Sequence, residues 1–159
     1  NIYGISKRLA EDIIINKSNN YSIIRTSWLF NEFGNDFISK ILEKIRKKSF
    51  LKIRDEYGCP TSAKSLSAFI NFISSKNFKT KEVLHFCNYP FTSRLNFTNA
   101  IIYNFNKKNS FKYNKEIELV DNFDNVIRPY KSILSCDNTL KKYKYTKKYW
   151  DKDLIKIFK

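Results

Sequence analysis

Tyr3 and Lys7 stand four positions apart at the front of the chain. If that segment is helical, both side chains leave the same face, one turn apart. A free tyrosine phenol ionises near ~10, too high for ready proton exchange at neutral pH. A lysine ammonium one turn away favours the phenolate. Such a pair could give or take a proton at a carbonyl or alcohol oxygen. In a chain this rich in tyrosine and lysine the spacing also arises by chance, so its meaning depends on what surrounds it. Other chemistries have weaker footing. His85 is the single histidine and lies in Val83-Leu84-His85-Phe86-Cys87, which reads as a buried strand, so it is expected to be a satisfied core residue. Cys59, Cys87 and Cys136 are widely spaced without a CxxC pair, which fits reduced thiols better than a disulfide framework or a zinc site.

The elements that must position these residues alternate. Ile5, Leu9 and Ile13 recur at helical spacing over Ile2 to about Asn16. Asn19-Asn20 breaks the pattern, and Tyr21 to Ser27 is rich in strand formers. Asn35 is a plausible N-cap for a helix through Lys48, with Phe37, Ile41, Leu42 and Ile45 on one face. A short strand is expected at Phe50 to Arg54, then an ordered turn at Gly58-Cys59-Pro60. Ser62 should cap a helix burying Phe69, Ile70 and Ile73. Val83 to Phe86 follows as a strand, and Thr92 or Ser93 opens a helix to about Phe105. Lys107 to Lys115 reads as a polar loop, Ile117 to Val120 as a strand, and the chain closes with helices starting near Ser135 or Asp137 and at Tyr149. Strands alternating with helices predict an α/β architecture.

Composition sets bounds on partners. With 159 residues and 42 % hydrophobic content, the chain can bury a core and is not disordered. No apolar run approaches the ~20 residues of a membrane span, so a cytoplasmic location is the expectation. The formal net charge is +15. That surplus could steer the chain to a polyanion. However, Lys, Asn, Ile, Phe and Tyr make up more than half of the chain, as drift in an AT-rich gene would produce. The lysines scatter over several elements instead of forming one stripe, so no specific nucleic-acid partner is expected. The chain lacks methionine and opens on Asn1, within a helical pattern. It therefore reads as an N-terminally truncated piece of a longer protein.

Tyr3-Gly4-Ile5-Ser6-Lys7, a helix, and then Ile24-Arg25-Thr26-Ser27-Trp28 together resemble the extended short-chain dehydrogenase/reductases, most closely the dTDP-4-dehydrorhamnose reductases, whose Y-G-x-S-K helix precedes an R-T-S-W strand. Asp55-Glu56-Tyr57-Gly58-Cys59-Pro60-Thr61-Ser62 is similar to the family's D-D-Q-x-G-x-P-T-S loop. Val83 to Phe86 with Thr92-Ser93 resembles its Y-H…T-S segment, and Arg128-Pro129-Tyr130-Lys131-Ser132-Ile133-Leu134 its R-P-x-N-S-x-L. The motifs run in the family's order over nearly the whole chain.

The resemblance implies the C-terminal part of a Rossmann-like NAD(P)-binding fold interleaved with a small substrate-binding α/β region. It implies NADPH or NADH as cofactor and a nucleotide sugar as substrate, reduced at its 4-keto group. Tyr3 would donate the proton, and Lys7 would bind the nicotinamide ribose and tune Tyr3. Thr26 and Ser27 would lie beside the nicotinamide, Trp28 would line the hexose subsite, Pro60 and Thr61 would shape the pocket wall, and Arg128 would lie near the nucleotide sugar. A homodimer, with Mg2+ at the contact in some members, belongs to the family pattern, though no residue here argues for the metal.

Three departures stand out. Cys59 replaces the family's serine, Lys131 its asparagine, and Arg94 the tryptophan common after T-S. The Gly-rich dinucleotide fingerprint and the Ser/Thr preceding the tyrosine helix have no counterpart in residues 1–159, where the glycines are Gly4, Gly34 and Gly58. The chain alone is therefore expected to be inactive. Two other readings are a non-catalytic sugar-nucleotide-binding or regulatory relative on the same fold, and a basic nucleic-acid-binding domain resting on charge alone. A Gly-rich strand-turn-helix and a Ser/Thr upstream of Tyr3 would favour catalysis over the former; salt-sensitive retention on a polyanion would favour the latter.

Overall fold

A computed structural model describes residues 1–76, 81–121 and 128–158. Its elements, in chain order, are α1 (Ile2–Lys17), β1 (Tyr21–Arg25), β2 (Leu29–Phe30), α2 (Phe37–Arg46), β3 (Leu51–Arg54), β4 (Tyr57–Gly58), β5 (Thr61–Ser62), α3 (Ala63–Ser74), β6 (Lys81–His85), β7 (Thr92–Ser93), α4 (Arg94–Lys108), β8 (Ile117–Val120), α5 (Asp137–Tyr143) and α6 (Trp150–Ile157). The alternation is the expected α/β one. Three strand pairs are parallel: β1 with β6, β2 with β5, and β3 with β8; β4 and β7 pair antiparallel. Parallel partners need long crossovers, and α2 and α3 both lie between β1 and β6 in the chain.

Two apolar clusters hold the chain together. One joins α2, β3, α4 and α6 through Ile41, Ile45, Leu51, Phe97, Ile101 and Leu154. The other lies under β6 and α3, with Phe69, Leu84, Phe86 and Leu140. Phe69 and Phe86 stack with ring centroids 4.5 Å apart, an arrangement that adds to area burial. Ile24 at the end of β1 packs on the second cluster, while Phe30 in β2 belongs to the first. The Thr26–Leu29 connection therefore passes from one core to the other.

Several local expectations change. Asp36, not Asn35, caps α2: its Oδ1 accepts from the Ser39 backbone N–H at 3.0 Å. Ser62 precedes α3 without a side-chain cap bond, and its N–H instead donates to Asn88 Oδ1 at 2.9 Å. Ile70 faces solvent, because the buried stripe of α3 runs through Ser65, Phe69 and Ile73. Val83 is also exposed, so β6 is buried through Leu84 and not along its length. Helix α1 forms over the predicted span, yet none of its residues is buried, and Ile5, Leu9 and Ile13 stay more than half exposed. Its apolar stripe is real, but no described element covers it.

Candidate functional site

The connection after β1 turns because Trp28 adopts φ 39°, a left-handed conformation that a bulky residue takes only under constraint. Three contacts impose it. The Trp28 carbonyl accepts from the Thr61 N–H at 3.0 Å, in the parallel β2–β5 pair. Ser27 Oγ accepts from the Cys59 N–H at 3.4 Å. The indole then lies against Gly58, where a Cβ would come within 2.3 Å of Cε2 and 2.7 Å of Cζ2 and Nε1. Only a glycine leaves that space, so Gly58 is required for close approach and not for a special φ.

The other contact on Trp28 is a cation. The Arg94 Cζ sits 3.6 Å from the indole centroid and 4.6 Å from that of Phe37. Its Nε and Nη2 both donate to Glu56 Oε1, at 2.8 and 2.5 Å, and its backbone N–H donates to the Glu56 carbonyl at 2.8 Å. Both side chains of this pair are largely buried, 13 % and 9 % exposed. Burial pulls the Arg94 guanidinium below its usual pKa; Glu56 opposes that fall, and the positive charge of Arg128 adds to it. The Arg128 charge is thus felt at this spot, although Arg128 itself is exposed. Pairing of β4 with β7 brings Glu56 and Arg94 together, while the Tyr57 N–H donates to the Tyr130 carbonyl at 2.8 Å and draws the 128–134 segment alongside.

Pro60 and Thr61 are buried, with Thr61 fully so. Thr61 Oγ1 donates to the Cys59 carbonyl at 3.0 Å. These two residues back the Trp28 turn from behind. Thr26 is different: among the described residues its Oγ1 is the buried side-chain oxygen with no hydrogen-bond partner. A buried hydroxyl left unpaired costs about 1–3 kcal/mol and asks for a ligand atom. It lies just past the carboxyl end of β1, where parallel sheets bind ligands.

Tyr3 and Lys7 lie in the first two turns of α1. The Lys7 Nζ lies 5.4 Å from the Tyr3 ring centroid. Arg25, the last residue of β1, donates to Glu11 through Nε and Nη2 at 2.8 and 2.6 Å. Tyr3 stands eight residues before Glu11, roughly 12 Å along the helix axis at 1.5 Å per residue. Tyr3 is 71 % exposed. So the structure draws Ser27, Trp28, Pro60 and Thr61 into one cluster, sets Thr26 next to it in the chain, keeps Tyr3 and Lys7 together on α1, and leaves Arg128 on the surface with its charge acting on Arg94.

The unpaired Thr26 hydroxyl beside Ser27, just past the carboxyl end of β1, fits hydrogen bonding to the carboxamide of a nicotinamide. A pyrophosphate is bound by a Gly-rich turn at a helix N-terminus; among the described residues Gly4, Gly34 and Gly58 stand apart and form no such turn. Sequence reasoning did not single out Arg94, Glu56 or Phe37 as a group. The replacement at Arg94 was the visible signal, but its partners become evident only in space. The same holds for the thiols, which converge although far apart in sequence. Cys87 Sγ lies 3.1 Å from Cys136 Sγ, and Cys59 and Cys87 both point at the Leu134 carbonyl, at 3.7 and 3.3 Å. All three are free and buried. His85 is half-buried with Nδ1 3.2 Å from the Ser135 carbonyl, a partnered structural position.

An α/β chain with parallel pairs, a tyrosine helix and a turn of hydroxyls at a strand end has the architecture of the extended reductases that bind nucleotide sugars. The RmlD substrate binding domain matches residues 1–159, and the chain belongs to that family. It is 33 % identical over 76 residues to dTDP-4-dehydrorhamnose reductase of Sinorhizobium fredii, covering 47 % of this chain and 26 % of that protein. Against the enzyme of the same name from Aggregatibacter actinomycetemcomitans it is 30 % identical over 105 residues, 63 % of this chain and 36 % of the relative. The crystal structure of dTDP-4-dehydrorhamnose reductase from Bacillus anthracis in complex with NADP superposes with a TM-score of 0.84 at 26 % identity. That match covers 99 % of this chain and 54 % of the other, so the chain spans about half the length of its structural relative. A UDP-glucose 4-epimerase from Thermotoga maritima, 14 % identical with a TM-score of 0.76, shares the fold.

Proposed function

We propose that this chain is the proton-donor and sugar-binding part of a reductase that converts dTDP-4-dehydro-L-rhamnose to dTDP-L-rhamnose with NADPH or NADH. The observation that carries the reading is the cluster at the carboxyl end of β1, where an unpaired buried Thr26 hydroxyl sits beside Ser27 and the clamped Trp28. The family match and the named reductase relatives support it. The dinucleotide-binding half is assigned to residues outside 1–159.

When bound, the reduced nicotinamide supplies the hydride to C4 of the sugar; the remaining work falls to side chains. Tyr3 Oη delivers the proton to the C4 oxygen as the carbonyl becomes an alcohol. Lys7, over the Tyr3 ring, stabilises the phenolate left behind and holds the nicotinamide ribose. Thr26 and Ser27 orient the ring of the cofactor. Trp28 walls the hexose with the surface that Arg94 leaves open, Pro60 and Thr61 fix that wall, and Arg128 attracts the diphosphate. Reduced, buried cysteines agree with a cytoplasmic site of action. No helix among the described residues is long and apolar enough to cross a membrane. The test is NADPH oxidation by the full-length protein with the keto sugar nucleotide, with dTDP-L-rhamnose identified by mass and retention. A protein that binds the sugar nucleotide without consuming NADPH or NADH would be a non-catalytic relative, and the proposal would fail.

A further inference from the structure

The buried Arg94 has no role in the chemistry above. Its guanidinium is held from three sides: the indole of Trp28 at 3.6 Å, the ring of Phe37 at 4.6 Å, and the Glu56 carboxylate. Glu56 is itself buried and its charge offsets that of Arg94, so the pair offers an incoming anion little net attraction. What the pair supplies is shape. A planar guanidinium can stack on an aromatic face while its edge donates in-plane to a carboxylate, which a lysine cannot do. The indole also packs against the Gly58 backbone, where not even a methyl fits. Trp28 is thus held by two contacts, both supplied by the β4–β7 pair: Gly58 from β4, and Arg94 from the residue after β7.

We propose that Arg94 is a positioning and specificity-determining residue that acts through Trp28. Anchored by Glu56, it covers one part of the indole and fixes the rest as a rigid wall for the sugar of a nucleotide diphosphate sugar. This inference rests on the reading of Trp28 as part of the hexose subsite. Loss of Arg94 frees the indole to take other rotamers, which raises the cost of ordering it on binding.

The test uses the full-length protein with Arg94→Met, which keeps the stem but removes the planar cation, and Arg94→Lys, which keeps the charge but not the stack. Two readouts are taken: the Trp28 indole Nε1–H resonance, assigned by its loss in Trp28→Phe, and KM and kcat for the sugar nucleotide. Arg94→Met is expected to shift or broaden the indole signal and raise KM about tenfold while kcat stays within about twofold. Arg94→Lys should restore less than half of that loss, and in a Trp28→Phe background Arg94→Met should add nothing further to KM. An unchanged indole signal and KM in Arg94→Met, or full additivity with Trp28→Phe, would overturn the proposal. If Arg94→Met does not fold, Arg94→Lys decides by the same two readouts. Trp28→Phe with an unaltered KM would instead remove Trp28 from the hexose subsite; the indole signal alone would then report on the clamp.

Discussion

Gly58→Ala isolates the contact on which the Trp28 turn depends. The backbone of Gly58 lies in a strand pair with Thr92, so alanine carries no backbone penalty and should gain about 0.4–1 kcal/mol from a less flexible unfolded chain. Against that gain stands a Cβ placed 2.3 Å from Trp28 Cε2, where carbon atoms normally rest ~3.5–4.0 Å apart. The indole must therefore retreat by more than 1 Å, which disturbs its stack on Arg94, 3.6 Å from its centroid. Overpacking costs about 1–3 kcal/mol, and a 2.3 Å approach belongs in the upper half of that range, about 2–3 kcal/mol; less a gain of up to about 1 kcal/mol, the net destabilisation is roughly 1–2 kcal/mol. For a chain of this size that lowers Tm by about 2–8 °C. Chemical and thermal unfolding of Gly58→Ala, Trp28→Ala and the double variant form a cycle. The clash predicts that Trp28→Ala recovers most of the Gly58→Ala loss, a coupling of about 1 kcal/mol or more. A Gly58→Ala protein as stable as the parent, or one whose loss simply adds to that of Trp28→Ala, would refute the packing argument.

Ser93 caps α4, its Oγ accepting from the Asn96 N–H at 3.0 Å, so Ser93→Ala should cost about 1 kcal/mol in urea unfolding. Burial, helped by a hydrogen bond to Glu82, pushes the Tyr143 phenol up to about 12 from 10.0. With the folded value above the unfolded one, its contribution is intact below pH 10 and is lost as pH rises from 10 towards 12. Tyr143→Phe should therefore flatten the fall in stability over that window, as seen in unfolding curves taken at successive pH values. The three thiols are nearly sealed from solvent, so N-ethylmaleimide should label them slowly in native buffer and completely in denaturant, counted by intact mass.

Hydrophobic period and turn chemistry made most helices legible, because each is specified by residues within a few positions. The spans of α1 and α6 follow from spacing, and Ser93 opens α4 as expected, but α4 continues to Lys108, into the segment expected to loop. Finer assignments slipped where a distant partner intervened. Asn88, 26 residues away, takes the Ser62 N–H, and Ile70, though next to buried Phe69, faces solvent. The α1 stripe of Ile5, Leu9 and Ile13 was readable, but spacing cannot say whether anything covers it. The candidate site is legible as a set of motifs, of which Ser27, Trp28, Pro60 and Thr61 lie together in space. The Arg94–Trp28 stack and the convergence of Cys59, Cys87 and Cys136 are not, since both arise where strands and turns remote in sequence meet.

The central claim is that Tyr3 delivers the proton in reduction of a nucleotide-bound keto sugar. Its most direct test is steady-state NADPH oxidation by the full-length protein and its Tyr3→Phe variant, with sugar-nucleotide affinity measured in parallel by calorimetry. Loss of a positioned general acid should lower kcat by about 10²–10⁴-fold while Kd stays within about threefold. A Tyr3→Phe enzyme that keeps its turnover, or one that loses binding and turnover together, would contradict the account.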